Sequence, residues 1–190
     1  MSKPIPVDII PSHVYLSSED QATLFGAGFP LTIDAPLSQE GQYAYAETVE
    51  VFGKNKRSLT LRILGPNWAH SFVELTPTEA MMLGIDPPVA KTGDLAEAVA
   101  CRIVGPAGEI TLSQGIIIPR PHLVCSDAEA DSMGLMNGKS VSVDLLTEHG
   151  KSLDHVTVRV HPAFRLRLEV HQDLARSLWL TRPVHARLRI

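Results

Sequence analysis

The residues whose types and spacing could do chemistry are histidines that recur. His13-Val14-x-x-Ser17 returns as His122-Leu123-x-x-Ser126, 109 residues on (122 − 13), and each run leads into an acidic, alanine-containing stretch that ends in glycine. A lone strand-end histidine is most simply one bonded to backbone; a recurring one is a candidate for a site shared between two halves. A third, His171, ends the run from Phe164. Its alternation sets Arg165, Arg167, Glu169 and His171 on one face and Leu166, Leu168 and Val170 on the other. Cys101 and Cys125 are too few for a disulfide framework and lack CxxC spacing, so a reducing cytosol fits. Cys125, three residues after His122, faces the opposite side of an extended strand and reads as a small buried apolar residue.

Short elements must position these residues. Val7 to Ile10 reads as a strand, and Ser17 or Ser18 caps a helix of about two turns ending near Phe25. Ala46 to Phe52 and Ser58 to Leu64 read as strands joined by a Gly53 to Lys56 turn, and Ser71 to Leu75 as another. Thr76-Pro77-Thr78-Glu79 is a capping signature, with Gly84 as the stop. Ala98 to Val104, Ile110 to Leu112, Ile116 to Ile118, Ser140 to Leu146 and Val156 to Val160 complete the strands, with a helix after Ser126 and another from Asp173 to Leu180. Many short strands, tight turns and short helices predict a mainly β fold of two small β-barrels, each capped by short helices. Arg62-Ile63-Leu64-Gly65-Pro66 also reappears as Arg102-Ile103-Val104-Gly105-Pro106. The two echoes together predict a duplicated half, with residues 1–90 and 91–190 as the barrels, a crossing near Asp86-Pro87-Pro88, and strands that can be exchanged.

The chain of 190 residues is long enough for a real core. Its net charge of −4 argues against nucleic acid and anionic membranes. Arg165, Arg167, Arg176, Arg182, Arg187 and Arg189 make a solvated or anion-facing basic bias. Neither a signal-like apolar run nor a membrane-spanning one occurs, so export and anchoring are not expected.

The order of Ser-x-His-Val-x-Leu-Ser, Leu37-Ser38-Gln39-Glu40-Gly41-Gln42, Glu47-Thr48-Val49, Leu64-Gly65-Pro66, Val73-Glu74, Thr92-Gly93-Asp94, Gly115 to Ile118 and Leu168-Glu169-x-His171-x-Asp173 resembles the PduL-type phosphate propanoyltransferases over nearly the whole chain. The resemblance implies two duplicated barrels with a metal-bearing cleft between them, where acyl-coenzyme A and phosphate exchange to give an acyl phosphate and coenzyme A with two zinc ions. It places one zinc on His13, Tyr15 and Glu74, and the other on His122, Val124 and His171. It also sets Trp68 where an arginine holds phosphate.

Four of these six ligand positions keep a family donor. A phenol is a poor zinc ligand unless the metal depresses its pKa, and valine is none. An indole cannot replace the bidentate arginine fork. Lys91, Arg165 or His70 could supply the missing charge or donor, and His70 otherwise reads as an exposed loop residue. The expectation is therefore at most one tightly bound zinc or other divalent ion, nearest His13 and Glu74, and an acyltransferase weakened or altered in acceptor. The other reading is a non-catalytic scaffold or a coenzyme A-type ligand binder. Acyl-coenzyme A and phosphate or another small acceptor are the expected partners, with a homo-oligomer left open. The first strand starts near the amino terminus, without the amphipathic helix of microcompartment relatives, so free cytosol is the expected location.

Overall fold

Alternation in the strands and hydroxyl caps on the helices account for most of the element boundaries. The computed structural model describes residues 3–180 and 183–189. Met1, Ser2, Thr181, Ile190 and Arg182, the last a member of the basic set above, lie outside the described residues. In chain order the elements are β1 (Ile5–Ile10), β2 (His13–Tyr15), α1 (Ser18–Phe25), β3 (Ile33–Pro36), β4 (Tyr43–Phe52), β5 (Ser58–Gly65), β6 (Phe72–Glu74), α2 (Pro77–Met82), β7 (Val89–Ala90), β8 (Val99–Val104) and β9 (Glu109–Pro119). They continue with β10 (His122–Cys125), α3 (Asp127–Met133), β11 (Ser140–Leu145), β12 (Ser152–Val160), β13 (Arg167–His171), α4 (Gln172–Ser177) and β14 (His185–Leu188).

Two compact units result. The amino-side unit holds Pro11–Leu37 and Gly41–Pro119; the carboxyl-side unit holds the described residues of Met1–Ile10, Ser38–Glu40 and Arg120–Ile190. In the carboxyl-side unit β1-β13-β10-β12-β11-β14 close into a barrel. In the amino-side unit β4-β5-β2-β6-β9 run in order, and β8 pairs with both β9 and β4 to close a second ring.

The two rings share one plan. The short histidine-bearing strand, β2 or β10, lies parallel to β5 or β12 and antiparallel to β6 or β13. Strand β6 then runs parallel to β9, as β13 does to β1. Both rings close through an antiparallel strand, β8 or β14. The strand that immediately precedes each histidine strand, β1 or β9, is thus built into the ring of the other repeat.

That exchange moves the expected border. Residues 91–119 carry β8 and β9 of the amino-side ring, so the chain crosses after Ile10 and after Pro119, and not near residue 90. The Arg62 and Arg102 echo is corrected too. It marks β5 and β8, which flank β4 within one ring, and so does not relate the two halves.

Each ring has its own core. Leu123, Cys125, Val143, Val156, Val158, Leu168 and Val170 pack inside the carboxyl-side barrel; Val14, Val49, Val51, Ile63, Val73, Ile103 and Ile116 pack inside the other. Burial pushes the Cys101 thiol up to about 12 and the Cys125 thiol up to about 11, so both are packing residues and not nucleophiles. The helices after the histidine strands are capped alike: Ser17 takes the Asp20 N–H, and Ser126 takes the Glu129 N–H while Glu129 reaches back in a capping box. Thr76 and Glu79 form the same box at α2, as their spacing requires.

Candidate functional site

In the amino-side barrel, Val14 enters the core, so strand alternation turns His13 and Tyr15 to the other face. His13 stands opposite Glu74 in the β2–β6 register. The imidazole Nδ1 lies 2.9 Å from the Pro11 carbonyl, which can only accept, so Nδ1 carries the proton and donates. Nε2 then offers a lone pair, 3.5 Å from Glu74 Oε2. Both side chains are buried, His13 being 2% and Glu74 4% exposed. His13 Nε2 and Glu74 Oε1 have no hydrogen-bond partner.

A buried lone pair facing a buried carboxylate is costly unless something positive lies between them. Bonds of about 2.1 Å to one tetrahedral zinc would place the two atoms about 3.4 Å apart. The pair therefore fits two corners of a divalent ion's shell. No group of three or more His, Cys, Asp or Glu side chains placed to hold a metal ion occurs among the described residues. The third corner would fall to Tyr15 or solvent.

Tyr15 is held in an aromatic cluster. Its ring meets His13 edge-on at 4.9 Å and packs against Trp68 and Phe72, each at 5.1 Å, while Trp68 and Phe72 meet at 5.0 Å. Trp68, half-buried, is the accessible member of this trio. It lies over the Thr92-Gly93-Asp94 turn so closely that a Cβ on Gly93 would come within 2.8 Å of the indole, and Gly93 also needs a φ of +81°. The position expected to hold phosphate is thus an apolar wall beside the His13 and Glu74 pair.

The other expected helpers do not join that pair. His70 is exposed and lines an open groove of about 450 Å³ with Ser17, Asp20, Ser71 and Gln114, a lining without His13, Tyr15 or Glu74. Lys91 is exposed in the turn after β7, where its carbonyl accepts from the Asp94 N–H.

In the carboxyl-side barrel, Leu123 and Cys125 belong to the core, so His122 and Val124 face away from it. His122 is 3% exposed and stands in register with Glu169 on β13 and Thr157 on β12, with Asp8 next in the row beyond Glu169. Glu169 is thus the register counterpart of Glu74. Gln39, itself buried, donates to its carboxylate at 3.4 Å and brackets the Arg165 backbone with two further bonds.

His171 lies two residues beyond Glu169, on the same face of β13. It is also the N-cap of α4: its Nδ1 accepts the Leu174 N–H at 3.2 Å, which puts the ring proton on Nε2. Burial pushes its pKa below the ordinary histidine value, with Asp173 pulling the other way. Because the cap uses one ring nitrogen and the proton the other, and Val124 has no donor, the set His122, Val124 and His171 does not fit a second ion. Arg165 is exposed and pairs with Glu40 at 3.4 Å.

Glu169 and Asp8 were not singled out from sequence as site residues. Alternation alone places Glu169 on the face of His171, but only the strand register sets it opposite His122. No helix among the described residues is long and apolar enough to cross a membrane.

A family model described as phosphate propanoyltransferase matches residues 6–181. The chain is 36% identical over 176 residues to the phosphate propanoyltransferase of Priestia megaterium, covering 93% of this chain and 81% of that protein. It is 37% identical over 177 residues to that of Citrobacter rodentium (92% and 83%). With that of Planctopirus limnophila it shares 40% over 174 residues (90% and 70%).

Proposed function

This chain belongs to the phosphate propanoyltransferase family, and we propose from that premise that it moves a short acyl group between coenzyme A and phosphate, at a metal-bearing site built on the His13 and Glu74 pair. The observation that carries the reading is that pair: His13 Nε2 lies 3.5 Å from Glu74 Oε2 in a buried setting, and Nε2 and the second carboxylate oxygen, Oε1, have no hydrogen-bond partner.

A phosphate oxygen attacks the thioester carbonyl carbon, the C–O bond forms as the C–S bond breaks, and coenzyme A leaves as a thiolate that takes up the proton phosphate gives up. When bound, a divalent ion supplies positive charge that stabilises the developing oxyanion or thiolate. His13 and Glu74 would hold it. The Pro11 carbonyl fixes the His13 ring so that its lone pair needs no reorientation. The wall of Tyr15, Trp68 and Phe72 offers apolar surface suited to an acyl chain or the pantetheine arm, and excludes water without adding charge.

Turnover is expected to be weak. Trp68 stands in place of an arginine fork, and Val124 together with the capping role of His171 removes the second metal shell. Acceptors other than phosphate belong to the same reading. A binder of coenzyme A-type ligands without turnover is the second reading, to which the apolar Trp68 and Val124 at the expected phosphate and metal positions point. The two buried free cysteines suit a reducing cytosol, where coenzyme A thioesters are at hand.

The test is release of free coenzyme A from propanoyl-coenzyme A with and without phosphate, with the acyl phosphate trapped by hydroxylamine. Phosphate-dependent release with matching hydroxamate supports the transferase. Binding of coenzyme A with no release in either condition supports the second reading.

A further inference from the structure

With Trp68 in the expected arginine position, a phosphate acyltransferase needs its cationic fork from elsewhere. The register of the carboxyl-side barrel offers one. Val124 on β10 is flanked by Arg159 on β12 and by Arg167 on β13. All three side chains point away from the core, on the face that carries His122 and Thr157 one step along. Strand spacing puts the two arginine Cα atoms about 10 Å apart across Val124, within reach of one anion lying over that small apolar residue.

The two arginines differ in what they already hold. Arg167 approaches Asp8 Oδ2 with its Nε at 3.5 Å and donates from Nη1 to the Leu166 carbonyl at 3.0 Å, so much of its charge and geometry is spent. Arg159 has no carboxylate partner among the described residues; its guanidinium stands 5.7 Å over the Phe164 ring, and Phe164 in turn packs on His161. It is half-buried, so it is neither a freely solvated surface charge nor part of an ion pair. The other charged groups on this face are Glu169, which accepts from Gln39, Asp8, which faces Arg167, and Arg165, which pairs with Glu40. Arg159 is therefore the cation left over.

We propose that Arg159, assisted across Val124 by Arg167, is an anion-binding arginine of the carboxyl-side barrel and takes a phosphate-type group. The planar fork, steadied by the Phe164 ring, suits bidentate hydrogen bonding to two phosphate oxygens. This assignment rests on the phosphate acyltransferase reading.

The experiment compares the wild type with Arg159→Gln and Arg159→Lys, and uses Arg57→Gln, an exposed residue in the β4–β5 turn, as the charge-matched control. The KM for phosphate and the KM for propanoyl-coenzyme A are measured separately, and binding of inorganic phosphate alone is followed by calorimetry. Arg159→Gln is expected to raise the phosphate KM about tenfold or more while leaving that for propanoyl-coenzyme A unchanged, with Arg159→Lys intermediate and Arg57→Gln like the wild type. An unchanged phosphate KM, or an equal rise in both constants, overturns the assignment while the transferase reading stands. If the wild type shows no turnover, that reading falls and calorimetry decides: phosphate binding lost in Arg159→Gln keeps the anion site, and binding that is unaltered or absent in the wild type removes it. Should Arg159→Gln not fold, Arg159→Lys carries the test, and a wild-type phosphate KM in it counts against the proposal.

Discussion

Replacing Glu74 by glutamine separates what the pair costs the metal-free protein from what it contributes when a cation is present. Glu74 Oε2 lies 3.5 Å from the His13 Nε2 lone pair, and Nε2 and the other carboxylate oxygen, Oε1, have no hydrogen-bond partner. The side-chain amide introduced by Glu74→Gln can donate to Nε2 with almost no change of shape. A buried acceptor gains a bond, so Glu74→Gln is expected to stabilise the chelator-stripped protein by about 1 kcal/mol, or roughly 2–4 °C for a chain of this size. Metal then acts in the opposite direction. At a hundredfold excess over its dissociation constant, a divalent ion stabilises the wild type by about 2.7 kcal/mol, or about 5–10 °C. The variant, with one donor charge gone, should respond by less than about 2 °C. The assay is thermal unfolding of stripped protein followed by circular dichroism, with zinc or cobalt added back. A variant that melts below the stripped wild type, or that keeps the full metal response, refutes the reasoning.

Restoring the family's arginine in Trp68→Arg, with Val124 left in place between Arg159 and Arg167, should raise phosphate-dependent coenzyme A release by about 10²-fold or more, since one lost oriented charge typically costs that much; no rise contradicts the account of weak turnover. At His171 the cap and the metal role part company. His171→Asn, which keeps a capping acceptor, should melt like the wild type, and His171→Ala should lose about 1 kcal/mol in urea unfolding. At α3, burial alone would raise the Glu129 pKa, but bonds from the Ser126 N–H and hydroxyl, with Lys3 nearby, hold it below the ordinary glutamate value. A depressed carboxylate contributes stability that is present above its unfolded pKa and lost as pH falls through the folded one. Ser126→Ala should therefore cost about 1 kcal/mol near neutral pH and flatten the stability profile below about pH 4.5, as read by urea midpoints across pH.

Local chemistry was legible where it is set within a few residues. The Thr76 to Glu79 box, the Ser17 and Ser126 caps, the inward Val156 and Val158 and the burial of Cys125 all follow from neighbours in the chain. So did the histidine recurrence, because His13 and His122 do occupy equivalent places in two rings of one plan. What was hidden is set by pairing between distant segments. Nothing near Val7-Asp8-Ile9 tells that it lies beside Leu168-Glu169-Val170. The border near residue 90 was misplaced for the same reason. The capping role of His171 was missed because helix starts are normally read from Ser, Thr, Asp or Asn, and here an imidazole nitrogen does that work. Glu169 opposite His122, and Arg159 beside Val124, emerge only once the register is known.

The central claim is that the amino-side barrel would hold a divalent ion on His13 and Glu74, and that the His122 set of the carboxyl-side barrel would not hold one. Anomalous scattering at the zinc edge from crystals of the zinc-loaded protein tests this directly. The expected result is one strong peak bonded to His13 Nε2 and Glu74. A peak held by His122 and His171, with none at His13, would contradict it.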